Sequence, residues 1–383
     1  MLNTPFPDWP SYTEEEAEAV ARVLLSNRVN AWTGGEVRAF EDAFARFVAS
    51  DHAIAVANGT LALDLALHGL GIGAGDEVIV TPRSFVASAS CIANAGARPV
   101  FADVDADSQN ITPDTVAPLI TARTRAILCV HLNGWPCDMP GLRDLVAGRG
   151  IALIEDCAQA HGARLDGTPV GGLGDVAAWS FCQDKIMTTG GEGGMVTTSD
   201  TRLWKRMWAF KDHGKDWDAV QSGQLPPGFR WLHQSLGTNF RLTEMQAAIG
   251  RIQLGRMPDW HRARVANARA IMDAARELPL FRVPEVPPRV AHGFYRLYLF
   301  LSDAAVAAGA DRDALIGRIN QAGVPCRQGI CPEIYREAPF APHPRLPVAR
   351  ALGETGLMFL VHPTLREQDI ARTCEVLRNL GTL

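Results

Sequence analysis

Residues 151–163 read IALIEDCAQAHGA. Four apolar residues lead into two acids, and the apolar run does not alternate. A run of this kind fits a strand covered on both faces. Glu155 and Asp156 then fall at its carboxyl end, where open α/β sheets bind their ligands. Similar short runs recur at Val78–Thr81, Pro99–Val104, Ala126–His131, Val176–Phe181 and Met195–Thr198. Between them lie helical patterns such as LALDLALHGL (61–70) and FVASASCIANAG (85–96). Strands alternating with helices predict an α/β fold with a mainly parallel central sheet.

Beyond this region the pattern changes. Thr243 and Gln246 have the spacing of a capping box, and Leu242, Met245, Ile249 and Ile252 recur at helical spacing. A proline-rich stretch, LPLFRVPEVPPRV (278–290), follows. After it come a strand-like YRLYLFL, a helix over Asp311–Gly323, the loop VPCRQGICPEIY, and a terminal helix after Thr364. The expected organisation is a large domain over residues 1–260 and a smaller α+β domain over 261–383. An amphipathic helix over Tyr12–Leu25 packs on one of them.

Composition narrows the function classes. The chain has 383 residues, 47% of them hydrophobic, with a formal net charge of -5. A mildly acidic chain without a basic face argues against nucleic acid as a partner. No apolar stretch approaches the roughly 20 residues that span a bilayer, and the first 20 residues lack a secretory pattern. No membrane association is expected. The eight cysteines form no CxxC pair and several sit in apolar runs. They read as reduced thiols of a cytoplasmic protein. The histidines show no metal spacing, so no metal is expected.

Four constellations could carry chemistry. In ANGTLALDLAL (57–67), Asn58-Gly59-Thr60 precedes an apolar helix. A helix N-terminus there suits a phosphate, or is simply an ordinary cap. Asp156 is placed to hold a protonated ring nitrogen, or is a solvated loop acid. In WSFCQDKIMTTGGEGGM (179–195), Ser180 and Lys185 flank a turn after an apolar run, and Gly190, Gly191, Gly193 and Gly194 permit unusual backbone angles. Lys185 is either a carbonyl-trapping nucleophile or a surface cation. In GTNFRLTEMQAAIG (237–250), Asn239 and Arg241 precede the capped helix. Taken together, a phosphate cradle, an acid for a ring nitrogen and an amine for an aldehyde describe pyridoxal 5'-phosphate. GxGxxG and GxxxxGK[ST] are both missing, which disfavours dinucleotides and nucleoside triphosphates.

Over nearly its whole length, from WTGGEVRAFEDAFARFVASDHAIAVANGT to LMFLVHPTL, the chain resembles the DegT/StrS-type sugar aminotransferases. These are pyridoxal-phosphate enzymes of fold type I, the aspartate-aminotransferase fold. The resemblance rests on GTLAL, GDEVIVTP, SFVAS, EDCAQAHGA, SFxxxK, EGGMV and GxNxRLTEMQAAIG. It implies that Lys185 bonds the cofactor aldehyde and Asp156 pairs with the ring nitrogen. Gln159 would lie near the phenolic oxygen. Gly59, Thr60, the Leu61 backbone and Ser180 would cradle the phosphate. Phe85 would stack on the ring, and Asn239 would reach the cofactor of the neighbouring subunit in a homodimer with shared active sites. Two departures stand out: TTGGEGG carries one glycine more than the usual TTGEGG, and Cys182 and Gln183 follow Phe181 where a polar group near the sugar is common.

The implied reaction is ping-pong transamination through pyridoxamine 5'-phosphate. The amino-acid donor is glutamate and the acceptor a nucleotide-linked 4-keto-6-deoxyhexose that feeds surface polysaccharide such as lipopolysaccharide O-antigen. A 3-keto nucleotide sugar and a non-nucleotide keto polyol are alternative acceptors. A sugar dehydratase would carry histidine at the position of Lys185. HGFYRLY, CRQGICPEIY and KDHGKDWD would shape the sugar pocket, with His213, Trp217 and Tyr335 as contacts or as ordinary packing.

Overall fold

A computed structural model describes residues 6–222 and 231–380. Its centre is a seven-stranded sheet of β1 (His52–Val56), β2 (Glu77–Val80), β3 (Arg98–Phe101), β4 (Thr124–Val130), β5 (Ala152–Asp156), β6 (Val176–Ser180) and β7 (Gly194–Thr198). The order across it is β1-β7-β6-β5-β4-β2-β3. Four pairings, β2·β3, β2·β4, β4·β5 and β5·β6, are parallel. Only β7 pairs antiparallel, with β1 and β6. The sheet is therefore mainly parallel, as the unbroken apolar runs imply.

Both faces are covered, which explains those runs. Ile54, Ile154, Val176 and Ala178 join a core with the helices α3 (Gly59–Leu70) and α4 (Ala87–Asn94). Their neighbours Ala53, Ala177 and Trp179 point the other way, onto Phe40 and Phe44 of α2 (Glu36–Phe47). Side chains alternate between faces at a period of two. Glu155 and Asp156 are bound by that alternation to face opposite sides of the sheet.

The N-terminal helix α1 spans Glu14–Leu25, two residues inside the expected start. The long helix α5 spans Glu244–Arg276 and opens with the expected capping box of Thr243 and Gln246. It passes through Pro258, so residue 260 lies inside it. A second, four-stranded antiparallel sheet has the order β8-β9-β11-β10, from β8 (Phe281–Arg282), β9 (Leu297–Leu301), β10 (Cys326–Arg327) and β11 (Gly356–Phe359). Its core joins the last turns of α5, from Ala268 to Ala275, to the helices Arg312–Gln321 and Glu367–Leu380. Among the described residues no helix is long and apolar enough to cross a membrane.

Candidate active site

A cavity of about 590 Å³ opens at the carboxyl ends of β4, β5 and β6. Its walls include Gly59, Thr60, Leu61, Phe85, Asp156, Gln159, Ser180 and Lys185. Residues distant in the chain thus meet where an α/β sheet binds its ligand. A larger groove of about 710 Å³ lies between α1, α2 and α5, but alanines, aliphatics and Arg–Glu pairs wall it, and nothing there is poised to react.

One wall is the N-terminus of α3. Asn58 caps the helix, its side chain accepting from the Leu61 N–H at 2.9 Å. The Leu61 N–H is therefore taken. The N–H groups of Gly59 and Thr60, which a helix does not use itself, remain at the positive end of the dipole. Gly59 presses against Ser180 so closely that a Cβ on it would lie 2.5 Å from the Ser180 Cβ. Gly194 permits a similar approach, since its Cβ would meet the Asn58 carbonyl oxygen at 2.4 Å. The two glycines bring the helix start and the Ser180 hydroxyl onto one small volume.

The floor is Asp156, nearly fully buried. One carboxylate oxygen accepts from Ser88 Oγ at 2.8 Å, and the other from the Ala158 N–H at 3.1 Å. Ser84 Oγ in turn lies 2.9 Å from Ser88 Oγ. Burial pushes the Asp156 carboxyl above the usual carboxylate range, although Ser88, the Ala158 N–H and Lys185 pull it down. A buried acid in this state gains from a cation placed beside it.

Lys185 follows β6 in a turn closed by its own N–H on the Cys182 carbonyl at 3.0 Å. Trp9 Nε1 donates to the Lys185 carbonyl at 2.7 Å, pinning the backbone from the N-terminal segment. The amine lies 3.7 Å from Asp184 Oδ1 and 5.2 Å from the Tyr295 ring centre. Gln159 turns its amide oxygen to the Asn133 N–H at 2.7 Å. Asn133 takes the left-handed conformation at φ 61° and in turn accepts from the Tyr295 and Arg296 N–H groups.

The remaining candidates are spread between this cavity, the surface and the packed interior. Asn239 is exposed, is not a wall of this cavity, and pairs with Asp212 in an isolated bridge. Phe85 lines the cavity but is 59% exposed. Trp217 packs edge-on against Trp204 and Trp208. Tyr335 is buried, its hydroxyl donating to Glu333. Both are packing residues and neither reaches the cavity. His213 is exposed. Ser88 and Asp184 went unread in the sequence, and Tyr295 was read only within HGFYRLY, a segment expected to shape the sugar pocket. Ser84 and Ser88, four apart at a helix start, were the one signal for the first.

The donor set fits the cofactor. A helix N-terminus pressed onto a serine suits a phosphate, a buried acid suits a ring cation, and a pinned lysine suits an aldehyde. Fold and site define a pyridoxal-phosphate enzyme of fold type I. The chain matches the DegT/DnrJ/EryC1/StrS aminotransferase family over residues 10–378 and belongs to it. It is a pyridoxal-phosphate-dependent aminotransferase. It is 36% identical over 384 residues to the dTDP-3-amino-3,4,6-trideoxy-alpha-D-glucose transaminase of Streptomyces venezuelae, covering 98% of this chain and 95% of that one. It is 33% identical to the GDP-perosamine synthase of Escherichia coli O157:H7, covering 96% and 95%. The solved structure of an aminotransferase from Psychrobacter cryohalolentis is 53% identical, with 99% of each chain covered and a TM-score of 0.96.

Proposed function

We propose that this enzyme moves an amino group from L-glutamate to a keto sugar carried on a nucleotide, in two half-reactions at one site. The default acceptor is a 4-keto-6-deoxyhexose. The observation that carries the reading is the meeting of Lys185, Asp156 and the α3 N-terminus in one cavity. The names of two relatives, one for a dTDP sugar and one for GDP-perosamine, support a nucleotide-linked acceptor. Retention of Lys185 disfavours dehydration.

When bound, the cofactor supplies an electron sink for the substrate carbon. The chain supplies the rest. Asp156 holds the ring nitrogen in its cationic form. The amine of Lys185 would bond the aldehyde with loss of water and, once free, would carry the proton between the substrate carbon and the cofactor carbon in each half-reaction. The N–H groups of Gly59 and Thr60 and the Ser180 hydroxyl hold the phosphate. Phe85 and Gln159 flank the ring. Asn239, exposed and paired with Asp212, serves a second copy of the chain in a homodimer. Eight free thiols fit the reducing cytoplasm, where sugars for surface polysaccharide such as O-antigen would be made.

The test is the visible spectrum of the purified holoprotein before and after glutamate. A yellow band that bleaches on addition supports cofactor, lysine linkage and donor together. A band that ignores glutamate removes that donor. A protein that takes up no pyridoxal phosphate removes the reading.

A further inference from the structure

Asp184 sits between two cations and one hydroxyl, and no step above uses it. Its Oδ1 is 3.7 Å from Lys185 Nζ. Its Oδ2 accepts a short hydrogen bond from the Tyr295 hydroxyl and lies 3.8 Å from Arg296 Nη2. Tyr295 is itself fixed. Its N–H donates to the Asn133 carbonyl at 3.0 Å, and its own carbonyl accepts from the buried Arg264 at 3.2 Å. The Arg296 guanidinium stacks on the same ring at 4.5 Å. Asp184, Lys185 and Tyr295 all wall the cofactor cavity.

We propose that Asp184 is a positioning residue: gripped by Tyr295, it keeps its charge beside the Lys185 nitrogen and sets where that nitrogen rests. The inference rests on the reading of Lys185 given above. An aspartate on a surface turn would swing freely and count for little. The Asp184 side chain is 53% exposed, but its second oxygen is held by a buried tyrosine two residues before β9, so its charge stays beside the amine. Burial pushes the Asp184 carboxyl up, but Lys185, the Tyr295 hydroxyl and Arg296 outweigh it and keep it ionised below the usual range. An anion within about 4–6 Å favours the protonated form of an amine. The amine shares the cavity with Asp156, Cys182 and Glu192, and its charge also acts on the buried His161. Burial and nearby cations keep His161 neutral, down to about 3, and burial pushes the Cys182 thiol up, so near neutral pH neither titrates. The arrangement ties the lysine turn after β6 to the Asn133–Arg296 junction that leads into β9.

The experiment is a pH titration of the visible absorbance of the holoenzyme, without substrates, for wild type, Asp184→Asn, Asp184→Glu and Lys185→Ala. The absorbance midpoint of Asp184→Asn is expected to fall by roughly one unit. Its kcat should fall about tenfold while KM for both substrates stays within about twofold. Asp184→Glu should recover part of the midpoint. A wild-type midpoint in Asp184→Asn, with lower cofactor affinity or melting temperature alone, overturns the proposal and leaves Asp184 a structural contact. Wild-type titration and turnover in Lys185→Ala would instead overturn the reading of Lys185 itself.

Discussion

Glu155 and Asp156 are neighbours at the end of one strand, both buried, and the two sides of the sheet treat them oppositely. Glu155 turns toward the 171–174 turn. It accepts from the N–H groups of Gly171, Leu173 and Gly174 at 2.8, 2.9 and 2.6 Å, and meets His131 Nε2 at 2.8 Å. His131 Nδ1 accepts from the Cys137 N–H, so its proton sits on Nε2 and points at Glu155. Burial pushes the Glu155 carboxyl up, yet these donors outweigh it and hold it below the usual range. Asp156 receives two donors and burial wins. His131, Glu155 and Cys157 bring ligand atoms within 4.8 Å of one another, but the first two have spent theirs on the protein. One side of β5 satisfies its acid completely. The other leaves acceptor capacity facing a cavity, which is the signature of a group waiting for a ligand.

The functional side should fail first when broken chemically. Lys185→Ala should cost roughly 10⁵-fold or more in turnover, with the far-ultraviolet circular dichroism unchanged. Full-rate transamination by that variant would end the assignment. Asp156→Asn should cost about 10²–10³-fold in kcat. It should not destabilise the cofactor-free protein. The folded-state pKa of Asp156 is raised, so its ionisation above the ordinary value of 3.8 costs stability that asparagine never loses. As pH rises from that value, the wild-type cofactor-free melting temperature should fall relative to the variant. Parallel curves would mean that Asp156 is already satisfied, and the contrast with Glu155 would collapse.

Glu155→Gln tests the opposite side. An amide offers one oxygen and brings an NH2 against N–H donors, so roughly 3 kcal/mol of stability should be lost. Urea unfolding measures it. Activity per folded molecule should stay within a few-fold of wild type. A large activity loss without loss of stability would move Glu155 into the chemistry.

The contrast was half legible. Unbroken apolar runs gave the sheet because both of its faces are covered. Lys185 and Asp156 could be read because their chemistry demands those residue types. β1 was missed: HAIAV is alanine-rich, and it becomes a strand through antiparallel pairing with β7. Ser88 lies 68 residues from Asp156, and Tyr295 111 residues from Asp184, so neither the Ser84–Ser88 spacing nor the HGFYRLY segment could say which acid it would meet. Trp217 and Tyr335 were open to two readings, contact or packing, and the structure gives packing. An aromatic that packs and an aromatic that binds look alike until the fold places them.

The smallest expected effect lies at Gly59. On propensity alone, Gly59→Ala should strengthen α3, because alanine outdoes glycine in a helix by about 1 kcal/mol. The added Cβ would lie 2.5 Å from the Ser180 Cβ, so the helix start must withdraw from β6 by several tenths of an ångström. The proposed phosphate donors sit on both sides of that contact, and withdrawal spreads them. Cofactor affinity should therefore fall about tenfold, a loss of roughly 1.4 kcal/mol, while the cofactor-free protein melts within about 1 kcal/mol of wild type. Gly255→Ala, in α5 with nothing within 4 Å of its Cβ, is the control and should gain stability without touching affinity. Titration of the cofactor-free protein with pyridoxal phosphate separates the two. If Gly59→Ala binds as tightly as wild type, the phosphate does not sit between α3 and Ser180, and only Asp156 and Lys185 remain to fix the cofactor in the cavity.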